Sequence, residues 1–183
     1  MPHRLKIAAI LPYVFSITLL FALAPRAEAG RKLRLISRAF ANGAAIPVEY
    51  TCAGDNNSPA LEWTGVPGGS RSLALIVKDP DAPGGTFIHW VLYNMPPGRS
   101  SLPADVPKED NIPDGGDQGV NGADGIGYHG PCPPPGSPHH YHFRLYAVDT
   151  KLDLKPGASA DQVEDAMRKH VLAETDLVGT FGR

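Results

Sequence analysis

The chain has 183 residues, of which 42% are hydrophobic and 20% charged, a composition typical of one globular domain with a hydrophobic core. Its formal net charge is −2, and its lysines and arginines are scattered along the chain rather than clustered in a basic stripe. This pattern excludes nucleic acid as an expected partner, because binding it requires clustered cations that displace counterions.

The N-terminal residues follow the order of a secretory signal. Two basic residues precede an uncharged run over 7–24, and Ala27 and Ala29 then offer small side chains at the positions that a signal peptidase reads. We expect residues 1–29 to be cleaved, leaving a single domain over 30–183 that is secreted or periplasmic and has no integral membrane span. The alternative is an uncleaved membrane anchor, since the apolar run is near the lower length limit for crossing a bilayer.

Four segments predict the strands of a mainly β domain. Residues 33–37 have a strand-like pattern, and residues 72–77 form an aliphatic run short enough for a buried strand. Residues 88–93 are rich in β-branched and aromatic side chains. In residues 140–148, Phe143, Leu145 and Ala147 share one face of the predicted strand. Residues 98–138 are dominated by Gly, Pro, Asp and Asn, which predicts long loops there.

One helix is predicted near the C-terminus. Ser159 lies three residues before Gln162, the spacing of a capping box. Val163, Met167 and His170 then recur at helical spacing. Acidic residues fall early in this segment and basic residues late, which complements the helix dipole. The sequence therefore predicts a mainly β domain with a C-terminal helix.

A first candidate site segment joins two of the predicted strands. Pro80 and Pro83 restrict the backbone on both sides of Asp81, so that its carboxylate is held in place, although Asp-Pro sequences also form turns without any function. His89 follows inside an apolar strand, where a lone histidine is usually held by a backbone carbonyl or a water. If a loop carboxylate such as Asp79 instead accepted its hydrogen bond, the histidine would aim its other nitrogen at a ligand and favour the charged form.

A second segment supplies hydrogen-bond donors. His139 and Tyr141 lie two residues apart at the start of a strand, so their side chains share one face. Gly130 can offer its backbone N–H, and imidazole, phenol and amide groups all donate to anions. Together the segments predict a pocket for a small anion. Asp79 or Asp81 could share a proton with a phosphate oxygen, or bind the ammonium group of a zwitterion such as phosphoethanolamine.

Metal binding and nucleophilic catalysis are not predicted. Alternation places His140 and His142 opposite His139, and the chain has no HExxH motif. It also has no Gly-x-Ser-x-Gly elbow, and no serine or cysteine with an obvious adjacent base. We therefore expect a protein without catalytic residues, metal or other cofactor.

The two cysteines, Cys52 and Cys132, leave two alternatives open. An even cysteine count in an exported chain favours a disulfide. Two independent, partly buried thiols would be equally compatible with the sequence, because their separation in space is not readable from it.

The two candidate segments resemble the motifs of a known family. The first reads DPDAP and leads to HW; the second reads GYxGPCPP and leads to HxYxFxLYA. With residues 50–54, 58–63 and 177–183, these motifs extend the resemblance over essentially the whole mature chain. The chain is similar to the phosphatidylethanolamine-binding protein (PEBP) family, in particular to its bacterial, Raf-kinase-inhibitor-like branch.

The resemblance implies a β-sandwich with short flanking helices and a small anion-binding cavity near its edge. Members of the family bind phosphorylated head groups or nucleotides and inhibit kinases or proteases. Two departures limit what the resemblance implies for this chain. The link from Pro83 to His89 in the first motif is short and lacks a pocket tyrosine that longer links in the family carry. An exported protein also does not meet cytosolic kinases. Position by position, the ligand-binding residues implied are Asp79, Asp81, Pro83, His89, Gly130, His139 and Tyr141.

These observations predict a secreted or periplasmic, non-enzymatic binding protein for phosphate-like or phosphoethanolamine-type groups, and they leave a regulatory role open. The alternative is a protease inhibitor or other protein-interaction module, in which the pocket receives an acidic group of a partner such as a protease. The Pro- and Gly-rich loops between residues 96 and 138 would then form the interaction surface.

Overall fold

The computed structural model of the protein describes residues 32–183, so the signal sequence expected over 1–29 lies outside the described residues. Two antiparallel sheets pack face to face, with strand orders β1-β2-β5 and β6-β4-β3-β7-β8. The strands are β1 (Arg34–Ser37), β2 (Leu61–Thr64), β3 (Ser72–Asp79), β4 (Phe87–Met95), β5 (Ser101–Leu102), β6 (Asp117–Gln118), β7 (His139–Val148) and β8 (Val171–Phe181). The prediction of a mainly β sandwich is confirmed.

The central strands of the larger sheet are covered on both faces. On one face Leu75 and Phe143 pack in a core that includes Leu61 and Trp63 of the smaller sheet. On the other face the side chains of a second core pack beneath the single α-helix, α1 (Ala160–Met167). Because β3 is buried on both sides, its sequence is a continuous apolar run rather than an alternating one.

The helix begins with the predicted capping box. The side chain of Ser159 accepts a hydrogen bond from the Gln162 backbone N–H, and the Gln162 side chain accepts one from the Ser159 backbone N–H. Val163 and Met167 face the sheet, whereas His170, which was predicted to share that face, lies beyond the end of the helix. A short 3-10 turn spans Val48–Tyr50. No helix within residues 32–183 is long and apolar enough to cross a membrane.

The predicted helix is followed by a further strand, β8, which the local sequence did not predict. β8 has 11 residues and pairs with β7 along its length, from Val171 opposite Val148 to Phe181 opposite His139. Its first six residues alternate between half-buried and exposed, and it carries Glu174, Asp176 and Gly179, which have low strand propensity. The strand therefore forms because a long partner strand is available, which local sequence does not reveal.

The predicted loops between residues 98 and 138 contain only two short strands, and a buried glutamine organises part of them. The side-chain oxygen of Gln118 accepts a hydrogen bond from the Trp90 indole at 2.8 Å. Its side-chain nitrogen donates to the backbone oxygens of Pro107 and Glu109, both at 2.7 Å. These bonds attach a polar loop to β4 and satisfy an amide that is completely buried.

The two cysteines form a disulfide. Cys52 and Cys132 are 80 residues apart in sequence, and their Cα atoms lie 5.4 Å apart. The backbone N–H of Cys52 also donates to the Pro131 carbonyl at 3.1 Å. Nearby, the hydroxyl of Tyr128 donates to the Tyr50 carbonyl at 2.8 Å. The disulfide and these two bonds hold the second motif against the 3-10 turn.

Reduction of the Cys52–Cys132 bond should add two hydrogens to the protein and lower its free energy of unfolding by about 2–4 kcal/mol, since the bond closes a long loop. Mass spectrometry and denaturant unfolding, each with and without reductant, measure the two effects. A Cys52→Ser, Cys132→Ser double variant is the control, and its stability should not respond to reductant. An unchanged mass after reduction under denaturing conditions would contradict the disulfide.

Candidate functional site

The first motif forms a tight loop between β3 and β4. Asp79 is the last residue of β3, and its Oδ1 accepts a hydrogen bond from the backbone N–H of Asp81 at 2.9 Å. Further along, the N–H of Gly85 donates to the Ala82 carbonyl at 3.0 Å, and Gly85 has a φ of +102° that other residues rarely adopt. These turns bring Pro83 to the protein surface beside the start of β4.

Two aspartates of this loop bind two consecutive histidines of β7. Oδ2 of Asp79 lies 2.7 Å from Nδ1 of His139, and only 5% and 11% of the two side-chain surfaces are exposed. Oδ2 of Asp81 lies 2.7 Å from Nδ1 of His140 in a far more exposed pair. The hydrogen bond from His140 lowers the pKa of Asp81. Because neighbouring strand residues face opposite sides, the first pair points inward and the second outward.

His89 is held by a backbone carbonyl rather than by a carboxylate. Its Nδ1 lies 2.6 Å from the carbonyl oxygen of His129, and a carbonyl only accepts, so Nδ1 carries the hydrogen. Burial lowers the pKa of His89 to about 4, although the hydrogen bond and the charge of Asp79 oppose the shift. The expectation that a carboxylate would pair with His89 and favour its charged form is therefore wrong, because Asp79 binds His139 instead.

Gly130 does not offer its N–H to a ligand, contrary to the expectation from sequence. That N–H donates to the side-chain oxygen of Asn56 at 2.6 Å. A Cβ atom at this position would come within 2.7 Å of the Tyr50 carbonyl oxygen. Glycine is therefore required here for close packing of the second motif against residues 50–56.

Tyr141 has a buried hydroxyl without a partner. Its residue is 0% exposed, and its oxygen is the one buried side-chain polar atom in residues 32–183 that has no hydrogen bond. Its ring lies edge-on to the ring of His89, with centroids 5.1 Å apart. Burial, and then the charges of Asp79 and Asp81, raise the pKa of Tyr141, so the hydroxyl keeps its hydrogen. Buried polar groups normally have a partner, and a bound ligand or water would provide it here.

A cavity of about 370 Å³ lies between the two motifs. Its buried polar members are Asp79, His89 and His139, and apolar side chains such as Pro83 and Phe87 complete its wall. No lysine or arginine of the described chain lines it. The cavity therefore combines a polar interior with an apolar entrance and contains no permanent positive charge.

The structure brings together only part of the residue set predicted from sequence. Four predicted residues line the cavity, namely Asp79, Pro83, His89 and His139. Tyr141 packs behind them against His89, whereas Asp81 faces outward and Gly130 packs against another loop. The remaining predicted pair, Cys52 and Cys132, forms the disulfide, and Cys132 reaches the cavity wall.

Several residues of the wall were not predicted from sequence, among them Phe87, His129 and Pro134. Phe87 and Pro134 line the cavity, and His129 does so while also orienting His89 through its carbonyl. Phe87 immediately precedes the strand residues that were singled out, and alternation places it on the face of His89. That spacing is a signal that could have identified Phe87. Within residues 32–183, no three His, Cys, Asp or Glu side chains are grouped as metal ligands.

Known proteins are similar to this chain in sequence and in fold. The family described as phosphatidylethanolamine-binding protein matches residues 36–182. A UPF0098 protein of Methanothermobacter thermautotrophicus is 51% identical over 151 residues, which cover 82% of this chain and 99% of that protein. A Mycobacterium tuberculosis protein with the lipoprotein name LppC is 41% identical over 171 residues, 93% of this chain and 82% of its own. The crystal structure of E. coli YbcL, described as a new member of the mammalian PEBP family, has a TM-score of 0.78 at 31% identity and covers 84% of this chain and 99% of its own.

Replacement of Tyr141 by phenylalanine should leave the free energy of unfolding unchanged or raise it by up to about 1 kcal/mol, because the lost hydroxyl has no protein partner. Tyr128→Phe is the matched control. It removes a bond to the Tyr50 carbonyl and should cost about 1–2 kcal/mol. Denaturant unfolding of the two variants and the wild type measures both effects. A larger loss in Tyr141→Phe than in Tyr128→Phe would contradict the assignment.

The ring of His89 should remain neutral at pH 7 and titrate near pH 4. Its pKa in the unfolded chain is about 6.5, so the unfolded state binds the extra proton between about pH 6.5 and 4. This histidine therefore lowers the stability of the fold as the pH falls through that window. NMR titration of the ring measures the midpoint, and the pH dependence of unfolding should be weaker in His89→Asn. A midpoint near 6.5 would contradict the buried neutral ring.

Proposed function

Because this chain belongs to the phosphatidylethanolamine-binding protein family, we propose that it is a non-enzymatic binding protein whose cavity takes phosphate-like or phosphoethanolamine-type groups. The observation that carries the proposal is the buried hydroxyl of Tyr141, which has no protein partner and whose ring packs against the rings of His89 and His139. A bound anion would accept the hydrogen bond that no protein group accepts.

The cavity would bind its ligand through a few directed hydrogen bonds rather than through a cluster of cations. The hydroxyl of Tyr141 donates to one ligand oxygen, and the imidazoles of His89 and His139 contact others. Asp79 supplies the carboxylate that would receive the ammonium group of a zwitterion, since Asp81 faces outward. Pro83 and Phe87 would contact the carbon atoms that follow the anionic group.

We place the mature protein outside the cytoplasm, secreted or in the periplasm. A relative with a lipoprotein name is compatible with a secreted or envelope location. The Cys52–Cys132 disulfide is also compatible with such a location, because disulfides persist in oxidising compartments. The order of charged, apolar and small residues over 1–29 adds independent support from sequence.

Calorimetric titration tests the proposal with inorganic phosphate and phosphoethanolamine as ligands. Both should bind, and Tyr141→Phe and His89→Asn should each weaken binding by about tenfold or more, since each removes a directed contact in a water-poor site. His170→Asn is a control that lies outside the cavity and should bind as the wild type does. NMR signals of the His89 and His139 rings should move on binding. Failure of both ligands to bind would refute the proposal.

A protein-interaction role, such as protease inhibition, has one observation in its favour. Residues 134–138 are exposed, contain three prolines and lie beside the cavity entrance. The Arg183 side chain donates to the Pro133 carbonyl at 2.6 Å, which anchors the start of this segment. Incubation with a panel of serine and cysteine proteases tests the role: inhibition that the Tyr141→Phe variant retains would assign it to the loop surface rather than to the cavity.

A further inference from the structure

We propose that the cavity selects oxyanions that carry their own proton, namely hydrogen phosphate and phosphomonoesters, over phosphodiesters and sulfates. The inference rests on the proposed function and names the ligand class of the same site. It separates two sources of phosphate: a free or monoesterified group carries an acidic hydrogen, whereas the head group of an intact phospholipid is a diester and carries none.

The first argument is the orientation of His89. Its Nδ1–H is committed to the His129 carbonyl at 2.6 Å, so the neutral ring presents a lone pair at Nε2. No group in residues 32–183 bonds to that nitrogen, and His89 lines the cavity. A ligand oxygen that carries a hydrogen can donate to Nε2. A fully deprotonated oxygen would place its own lone pair against that of the ring.

The second argument is the balance of charge around the ligand. Asp79 is the buried carboxylate of the cavity, and no lysine or arginine of the described chain lines it. His139 already donates its Nδ1–H to Asp79, at 2.7 Å. The hydroxyl of Tyr141, which packs behind the lining residues, is a buried donor without a protein partner. With a carboxylate and an imidazole lone pair among its polar groups, the cavity offers acceptors as well as donors. It therefore matches a ligand that both donates and accepts.

The third argument concerns where the proton resides in the complex. The groups that face His89 are Asp79 from β3, His139 and Tyr141 from β7, and His129 from the second motif. Burial outweighs the attraction of Asp79 and lowers the pKa of His89 to about 4. A phosphomonoester loses its second proton at about pH 6. Near pH 5.5 the ligand therefore keeps its proton while the ring is still neutral.

Calorimetry at pH 5.5 with methyl phosphate and methyl sulfate tests the inference. The two ligands have nearly the same size and one negative charge each at this pH, and only methyl phosphate carries a hydrogen on oxygen. Methyl phosphate should bind at least about tenfold more tightly, because a buried group left without its partner costs about that factor. Dimethyl phosphate, which represents the diester, should bind as weakly as methyl sulfate.

A variant and a proton count complete the test. His89→Asn keeps an amide donor for the His129 carbonyl but lacks the second ring nitrogen, so the preference for methyl phosphate over methyl sulfate should fall towards one. His170→Asn, a histidine remote from the cavity, should keep the wild-type preference. Titrations in two buffers of different ionisation enthalpy should show uptake of only about a quarter of a proton when methyl phosphate binds at pH 5.5, because that share of a phosphomonoester with a pKa of about 6 has lost its second proton.

The outcomes separate this inference from the proposed function. Equal affinities for methyl phosphate and methyl sulfate, or uptake of about one proton on binding, would overturn the inference and leave the anion-binding role intact. Failure of phosphate and methyl phosphate to bind at all would overturn both. A methyl phosphate preference that His89→Asn retains in full would overturn the assignment to His89.

Discussion

The buried pair between Asp79 and His139 is the interaction on which the site depends. It joins the end of β3 to the start of β7, two neighbouring strands of the larger sheet, at the point where the first motif leaves that sheet. A carboxylate that is almost completely buried needs a hydrogen-bonding partner, since an unpaired buried charge is strongly destabilising. The pair therefore holds the loop that carries Pro83 in one position and presents the ring of His139 to the cavity.

The opposite wall is anchored independently of this pair. The Cys52–Cys132 disulfide and the bond between Gly130 and Asn56 attach the second motif to residues 50–56. The second motif also orients His89, through the carbonyl of His129. Each wall is thus fixed by its own covalent or buried polar contacts within the protein. Preorganisation of this kind reduces the ordering cost of binding.

The chemistry of the cavity differs from that of anion sites built from arginine or lysine. Burial keeps one imidazole neutral, and Asp79 adds a negative charge close to where an anion would lie. In such a site hydrogen bonds decide which ligand fits, because long-range attraction is weak. Selectivity then depends on where each hydrogen lies, and a fixed tautomer becomes a recognition element. A PEBP-type cavity with this arrangement is suited to distinguishing oxyanions that differ by one proton.

Much of the fold and part of the site were predictable from the sequence. Three features depend on local periodicity and spacing, which the sequence displays directly: the central strands β3, β4 and β7 of the larger sheet, the capping box at Ser159, and the shared face of His139 and Tyr141. The motifs identified the family, and with it the residues near the cavity.

Contacts between segments far apart in sequence were not predictable in the same way. β8 has a weak local strand propensity and forms because β7 is available as its partner strand. The sequence left the disulfide as one of two alternatives, because it does not show that Cys52 and Cys132 lie close together in space. Which aspartate binds which histidine, and whether the Gly130 N–H is free, depend on contacts between residues 59 or more positions apart in the chain. Local pattern determined the elements and the residue types of the site. Only tertiary packing decided which polar atoms pair with each other and which remain free to meet a ligand.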